Sequence, residues 1–142
     1  MTREMVENFI HWSLEGNSED RFRRNEHLHL VLRLMYYSHI KHSYVDRLTP
    51  SDIKRNVDGT GEGYYTTMRG GEYMYYFQIR KEEMELLSAY IEKYNVKQDE
   101  PIIQIRRHAI RKVFREIAEV YKVQGIPKPQ LKEVYFAGLS KD

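Results

Sequence analysis

The chain has 142 residues, enough for one domain and too few for two domains that each bury a core. Its residues are 41% hydrophobic and 31% charged, which excludes a chain too polar to fold, and no run of about 18 uncharged apolar residues predicts a membrane span. Residues 1–14 carry Arg3, Glu4 and Glu7 where a secretory signal needs an apolar run. The absence of cysteine excludes disulfides and thiolate zinc sites, and we expect a cytoplasmic protein with no membrane partner.

The formal net charge of +2 is distributed unevenly along the chain. Residues 21–57 hold eight basic and three acidic side chains, and residues 101–142 hold nine basic and four acidic ones. Each of these blocks therefore carries +5, and the stretch between them is mildly acidic. Such blocks indicate a polyanion-binding surface if the fold brings them to one face, and solvated helix faces otherwise.

Two helices are predicted in the first third of the chain. Thr2 is a suitable N-cap for a short helix that ends before Gly16. A second helix is predicted from Asn25 to Tyr37, and its apolar residues occupy every face. A helix of that kind is buried on all sides, so it should organise the core.

The middle of the chain has β character. A short amphipathic piece at 44–48 and a turn-rich stretch at 58–63 precede two β-rich runs, Tyr64–Met68 and Tyr73–Ile79. Gly70-Gly71 between these runs predicts a hairpin, because primed turns require positive φ at both central residues.

Two further helices are predicted, Glu82–Tyr94 and Ile102–Val123, the second closed by Gly125. On a helical wheel the second has an apolar face and an opposite basic face, which is formed by His108, Arg111, Lys112, Arg115 and Lys122. The predicted fold class is mainly α (α+β), one helical domain over residues 1–142 with one antiparallel β-hairpin.

Part of this basic face is balanced within the helix, since Lys112 and Arg115 each have a glutamate four residues on. Arg106, Arg107 and Arg111 have no such intrahelical partner, so they are the better candidates for phosphate contacts.

The common catalytic motifs are missing from the sequence, including GxxxxGK[ST], GxGxxG, HExxH and GxSxG. His27 and His29 are two residues apart, and His39 and His42 are three apart, but the second pair straddles a predicted helix break. We predict no metal site and no cofactor.

The order of elements resembles the catalytic domain of tyrosine recombinases, the phage integrase and Xer-like enzymes. Residues 30–53, LVLRLMYYSHIKHSYVDRLTPSDI, resemble the family stretch LLLxTGLRxSELLxLxWxDI, with Ser38-His39-Ile40-Lys41 in place of TGLR. The hairpin, the long helix with Gly125-Ile126, and residues 129–137, PQLKEVYFA, resemble the family's hairpin, its helix before a glycine-isoleucine turn, and its PHxLRHTFA motif. The resemblance covers residues 22–137.

The departures from the family pattern fall on its chemistry. The resemblance implies two arginines, a hairpin lysine and a histidine around a phosphate, with a tyrosine nucleophile. Here Lys41 stands at the first arginine position, Arg69 at the hairpin lysine, and Gln130 and Lys132 in the HxxR region, and the chain ends before a helix bearing the nucleophile. Lysine neutralises phosphate but lacks the planar bidentate fork. The expectation is a degenerate or truncated recombinase-like protein of a mobile element that holds duplex DNA without performing DNA recombination or integration.

A second assignment within the same family takes His108 and Arg111 as the HxxR motif and Tyr121 or Tyr135 as the nucleophile. It leaves little chain behind the motif for the rest of the domain. In that case the chain would be an active tyrosine recombinase that cleaves and rejoins DNA strands.

Two other interpretations remain open. Predicted helices at 26–37, 43–48 and 50–56 followed by the hairpin at 64–79 have the order of a winged-helix DNA-binding regulator. Alternatively, the tyrosine-rich hairpin is the interface of a protein-interaction module that binds no nucleic acid. Self-association into a homo-oligomer is also left open.

The sequence thus names eight candidate DNA-binding side chains and no catalytic residue. Three of them, Lys41, Arg69 and Lys132, are expected to converge on one face because they match three family positions. The full candidate set is Lys41, Lys54, Arg55, Arg69, Arg106, Arg107, Arg111 and Lys132.

Overall fold

The computed structural model describes residues 2–14, 19–66, 74–123, 125 and 130–140, with only the backbone described at 12, 19–25, 117 and 120–123. These residues form a mixed α+β fold of six α-helices and a three-stranded antiparallel sheet. The elements are α1 (Arg3–Trp12), α2 (Glu19–Tyr37), α3 (His42–Val45), a 3-10 turn (Pro50–Asp52), β1 (Lys54–Arg55), β2 (Gly61–Thr66), β3 (Met74–Ile79), α4 (Lys81–Lys93), α5 (Arg107–Val123) and α6 (Leu131–Leu139). None of the described helices combines the length and apolar character that a bilayer span requires.

Helix α2 is the centre of the fold, as its all-round apolar sequence predicts. It contacts all five other helices, and its residues Leu28, Val31, Leu32 and Leu34 are completely buried. The predicted start at Asn25 is wrong, because the helix begins at Glu19. Residues 19–24 include Glu and Arg, which are good helix formers, and they extend the helix through Asn25.

The sheet has one strand more than the single hairpin that the sequence predicts. β2 pairs with β3 in the register Tyr64↔Tyr76, and β1 pairs with β2 through Lys54↔Glu62 and Arg55↔Gly61. The strand order is therefore β1-β2-β3. The last residues of the turn-rich stretch at 58–63 form the beginning of β2. The predicted hairpin turn at 69–72 lies outside the described residues.

Two glycines of this stretch serve packing instead of turning the chain. A Cβ at Gly61 would overlap the Met84 sulfur, and a Cβ at Gly63 would overlap the backbone oxygen of Asp52. The sheet approaches α4 and the 3-10 turn closely because these positions have no side chain. The turn itself is earlier, at Asn56–Thr60, where Gly59 has φ of 90°.

The third helix required by the winged-helix interpretation does not form over 50–56. Thr49 and Asp52 make the capping box, and the Thr49 backbone N–H donates to Asp52 Oδ2 at 3.0 Å. Only one 3-10 turn follows, because Ile53 is extended (φ −113°) and β1 begins at Lys54. That element of the winged-helix alternative is wrong.

Helix α5 begins at Arg107, five residues after the predicted start at Ile102. Ile102 and Ile103 are buried, and the Ile102 N–H donates to Leu48 O at 2.7 Å, so this segment packs into the core in a non-helical conformation. The end of α5 agrees with the prediction, since Gly125 has φ of 81° two residues beyond Val123.

A buried ionic network joins α2 to α4. The completely buried Glu83 carboxylate accepts from Arg33 at 2.7 Å and from Arg80 at 2.6 and 3.0 Å. The Arg80 guanidinium lies 3.6 Å from the centre of the Tyr37 ring. Hydrogen bonding to Glu83 raises the pKa of Arg80 above its usual value.

We predict that Glu83→Gln lowers the free energy of unfolding by about 3 kcal/mol, the lower end for breaking a buried ion pair, because both arginines are partly solvated. Urea denaturation measures the change. The matched control is Glu82→Gln, which also loses a carboxylate beside Arg80, but from a side chain that is 62% exposed. The control should cost less than about 1 kcal/mol. Equal losses for the two variants would contradict the role of the buried network.

His29 is held neutral beneath this network. Its Nδ1 lies 2.9 Å from the carbonyl of Ile10 and 2.8 Å from Ser13 Oγ, and Arg33 Nε donates to its Nε2 at 2.8 Å. Nδ1 therefore carries the proton and Nε2 accepts. Burial, followed by the Arg33 cation, lowers the pKa of His29 to about 4 against the opposing effect of the Ile10 carbonyl.

We predict that, because of His29, the free energy of unfolding decreases as the pH is lowered from about 6.5 to about 4. Above pH 6.5 the imidazole is neutral in both states, whereas below it the unfolded chain binds a proton that the folded chain refuses. The loss reaches up to about 3 kcal/mol. Urea midpoints measured across this range should fall less steeply for His29→Gln than for the wild type. Parallel curves would show that His29 titrates normally in the folded protein.

Candidate functional site

A concave surface opens between the end of α2, the start of α3, the start of α5 and helix α6. Its volume is about 490 Å³. We call it the basic cleft, and its lining residues are Met35, Lys41, His42, Ser43, Arg107, Arg111, Leu131, Lys132, Tyr135, Phe136 and Leu139.

Four cations converge on the basic cleft. Lys41, Arg107, Arg111 and Lys132 are all exposed and come from three separate elements. Among the described residues that line the cleft, none is acidic. A concave surface with cations of one sign concentrates field lines and attracts anions.

The local sequence explains how each cation reaches the cleft. His39 has φ of 57°, which ends α2 and turns the chain so that Lys41 becomes the N-cap of α3. Arg107 and Arg111 are one turn apart on α5 and exposed, whereas Ile110 and Val113 of the same helix are buried. The apolar face of α5 thus fixes the direction of its basic face.

Helix α6 supplies the opposite wall. A Cβ at Gly138 would overlap the backbone oxygen of Tyr36, so the glycine lets α6 lie directly against the end of α2. Lys132 and Tyr135 line the cleft from this helix, and the Lys41 ammonium lies 5.8 Å from the centre of the Tyr135 ring. That distance is within the range of a cation–π contact.

An aspartate that does not line the cleft contacts two of its lining residues. Asp46 Oδ2 is 3.6 Å from Arg107 Nε, and Asp46 Oδ1 is 3.4 Å from Nε2 of the buried His42. The His42 contact is within ion-pair distance but lacks hydrogen-bond geometry. The sequence analysis finds no partner for Arg107 within its helix, and the structure supplies one from the segment after α3.

The structure brings some of the predicted site residues together and separates others. Lys41 and Lys132, two of the three positions expected to converge, line the same cleft with Arg107 and Arg111. The third position, Arg69, lies outside the described residues. Arg106 borders a neighbouring depression with Arg107 and Asp46.

Lys54 and Arg55 lie elsewhere on the surface. Both belong to β1, neither lines the basic cleft, and the Arg55 guanidinium donates to the Ser88 hydroxyl on α4. Any contact of Lys54 and Arg55 with DNA would therefore lie outside the basic cleft.

Sequence reasoning missed the apolar and neutral part of the lining. Tyr135 is considered there only as an alternative nucleophile, and Phe136 and Ser43 are not considered as site residues. The available signal was helical spacing in residues 131–139, where positions 131, 132, 135, 136 and 139 share one face.

Two of the four histidines considered as metal ligands, His27 and His29, make hydrogen bonds within the fold. His27 Nδ1 pairs with the Tyr90 hydroxyl, and His29 bonds to Ile10, Ser13 and Arg33. Within the described part of the chain, no group of three or more His, Asp or Glu side chains could hold a metal ion.

Comparison with known proteins finds no match to a protein-family model, to a curated protein or to a solved structure. The functional argument therefore rests on the geometry and charge of the basic cleft.

Proposed function

We propose that the chain is a DNA-binding protein that seats backbone phosphates of duplex DNA in the basic cleft, in the manner of a catalytically degenerate tyrosine recombinase of a mobile element. The observation that carries the proposal is the meeting of Lys41 and Lys132, which are 91 positions apart in the chain, in one cleft without an acidic lining residue. Both stand at positions where the family resemblance implies phosphate contacts.

The chemistry of the cleft suits phosphate. Lys41 and Lys132 act as compact point charges, and Arg107 and Arg111 offer planar guanidinium groups that can bind a phosphate in bidentate fashion. The exposed Arg106 borders a neighbouring depression with Arg107 and Asp46, so a further cation lies outside the volume that one phosphate would fill. A surface of that extent fits a polymer with regularly spaced phosphates.

We predict that the double variant Lys41→Ala/Lys132→Ala weakens binding to duplex DNA and flattens its salt dependence. Fluorescence anisotropy at several salt concentrations gives the dissociation constant, which for non-specific phosphate contact is about 10⁻⁴–10⁻⁶ M at physiological salt. The slope of log K against log salt should fall by about 0.9 for each lost phosphate contact.

The matched control is Lys81→Ala/Lys97→Ala, which removes the same charge from two exposed lysines that do not line the cleft. It should leave the slope nearly unchanged. If both double variants behave alike, binding depends on net charge alone and the cleft is not the phosphate site.

Catalysis is not part of the proposal, although Tyr135 and Arg111 share the cleft and favour the second motif assignment at those two positions. His108, the other member of that HxxR motif, does not line it. Lysine at position 41 cannot supply the bidentate oxyanion contacts that a phosphoryl transition state requires.

We predict that the chain forms no covalent adduct with a nicked suicide duplex, as judged by a denaturing gel. A shifted band would contradict this prediction. If that band disappeared in Tyr135→Phe, the chain would be an active strand-cleaving enzyme with Tyr135 as its nucleophile.

A second candidate function is a protein-interaction module, favoured by the outward face of the hairpin, where Tyr64, Met74 and Tyr76 are 47–66% exposed. Such an interface would bind its partner with little salt dependence, whereas phosphate binding weakens steeply between about 50 and 200 mM salt.

A further inference from the structure

The basic cleft has an apolar wall that a phosphate group alone does not use. Beside the four cations, its lining includes Met35, Leu131, Tyr135, Phe136 and Leu139. Phe136 and Leu139 are 58% and 47% exposed, so much of their apolar surface is open to a ligand. Within a continuous duplex the bases are stacked and paired, and they cannot reach such a wall. The wall therefore indicates a ligand with an accessible apolar part.

The cationic and apolar parts of the lining adjoin each other. Lys132 and Phe136 are one turn apart on α6, and residues at that spacing are neighbours on a helix surface. The Lys41 ammonium lies 5.8 Å from the centre of the Tyr135 ring, and that ring lies 5.5 Å from the ring of Phe136 between centroids. A ligand that contacts both parts has its anionic group joined closely to an apolar or flat group.

The charge of the cleft favours a phosphate monoester over a diester. Four cations line it, and none of its described lining residues is acidic, although Asp46 offsets part of the charge of Arg107 from outside the lining. A backbone diester carries one negative charge, whereas a phosphate monoester carries about −1.5 to −2 at pH 7. The monoester therefore offsets more of the repulsion among the clustered cations.

The size of the cleft fits one nucleotide unit. Its volume of about 490 Å³ lies within the range of small-ligand sites, about 300–1,000 Å³. A nucleoside phosphate monoester joins a doubly charged phosphate to a sugar and a flat base. In a DNA strand this unit occurs only at a phosphorylated end, where the last base has one face that no neighbouring base covers.

We propose that the basic cleft binds a nucleoside phosphate monoester, which in DNA is the phosphorylated end of a strand. The inference rests on the proposed function, because it specifies which phosphates of the DNA the cleft prefers. The terminal phosphate contacts the four cations, and the terminal nucleoside packs on Phe136 and Leu139.

The preference for a strand end is tested with one duplex sequence whose ends carry hydroxyl groups, 5′-phosphates or 3′-phosphates. By fluorescence anisotropy, we expect one of the phosphorylated forms to bind about five-fold more tightly than the hydroxyl form, the upper end for one added exposed ion pair. Lys41→Ala/Lys132→Ala should lose this preference. The matched control Lys81→Ala/Lys97→Ala should keep it, since neither of its lysines lines the cleft.

The apolar wall is tested with two competitors that carry the same phosphate monoester, deoxycytidine 5′-monophosphate and deoxyribose 5′-phosphate. The nucleotide should displace labelled duplex at a concentration at least about five-fold lower, the smallest effect expected for one base against an aromatic ring. Phe136→Gln/Leu139→Gln keeps every charge and should abolish this difference. The matched control is Val57→Gln/Leu86→Gln, which changes two exposed apolar residues outside the cleft and should retain the difference.

The possible failures are distinguishable. Equal binding of all three duplex forms overturns the assignment to a strand end, and a nucleotide preference that remains would assign the same chemistry to a free nucleotide. Equal displacement by the two competitors overturns the role of the apolar wall. If Phe136→Gln/Leu139→Gln instead converts a dimer into a monomer in analytical ultracentrifugation, the wall is a self-association surface and the inference is wrong. Failure of the cleft proposal itself would appear as duplex binding that Lys41→Ala/Lys132→Ala does not change.

Discussion

From residue 27 to residue 36, α2 is buried on every face apart from the half-buried Arg33, and the other elements depend on this burial. A helix without a polar face cannot lie at a surface, so helices on all sides must cover it, and the five other described helices do. Its C-terminal end positions the candidate site. The left-handed residue His39 directs Lys41 outward, and the contact between Gly138 and the Tyr36 backbone brings α6, with Lys132, to the same end. The basic cleft is thus a consequence of how α2 ends and is covered.

Much of the secondary structure follows from local sequence, and two of the errors, at the start of α5 and at strand β1, share a physical cause. The apolar residues of α2, the paired β-rich runs and the Gly125 stop signal are local features, and the structure agrees with them. The start of α5 and strand β1 depend on tertiary contacts instead. The hydrogen bond between Ile102 and Leu48 keeps Ile102 out of the helix. Positions 61 and 63 require glycine because α4 and the 3-10 turn leave no room for a side chain there. In a sequence such glycines cannot be distinguished from turn residues, because close packing and a positive φ both require glycine.

The candidate site was predictable only in part. Lys41 and Lys132 are separated by 91 positions, and only the order of elements in the family resemblance links them. Arg111 follows from the helical wheel as part of the basic face, and Arg107 follows from its lack of a partner within the helix. The position of Tyr135 required α6, to which the sequence analysis assigns no element. The convergence of cations from three separate elements depends on helix packing, which the hydrophobic periodicity of the sequence does not predict.

The placement of the carboxylates explains why one surface is left positive although the chain is nearly neutral. Glu83 joins Arg33 and Arg80 inside the fold, Asp52 caps the 3-10 turn through Thr49, and Asp46 contacts Arg107 without lining the cleft. Each of these acids makes a contact within the fold, and none of the three lines the cleft. A net charge of +2 therefore says little about binding here, because the field at a surface is set by where the compensating charges lie. In the basic cleft the described lining residues include four cations and no acid, and Asp46, which contacts Arg107, does not line the cleft.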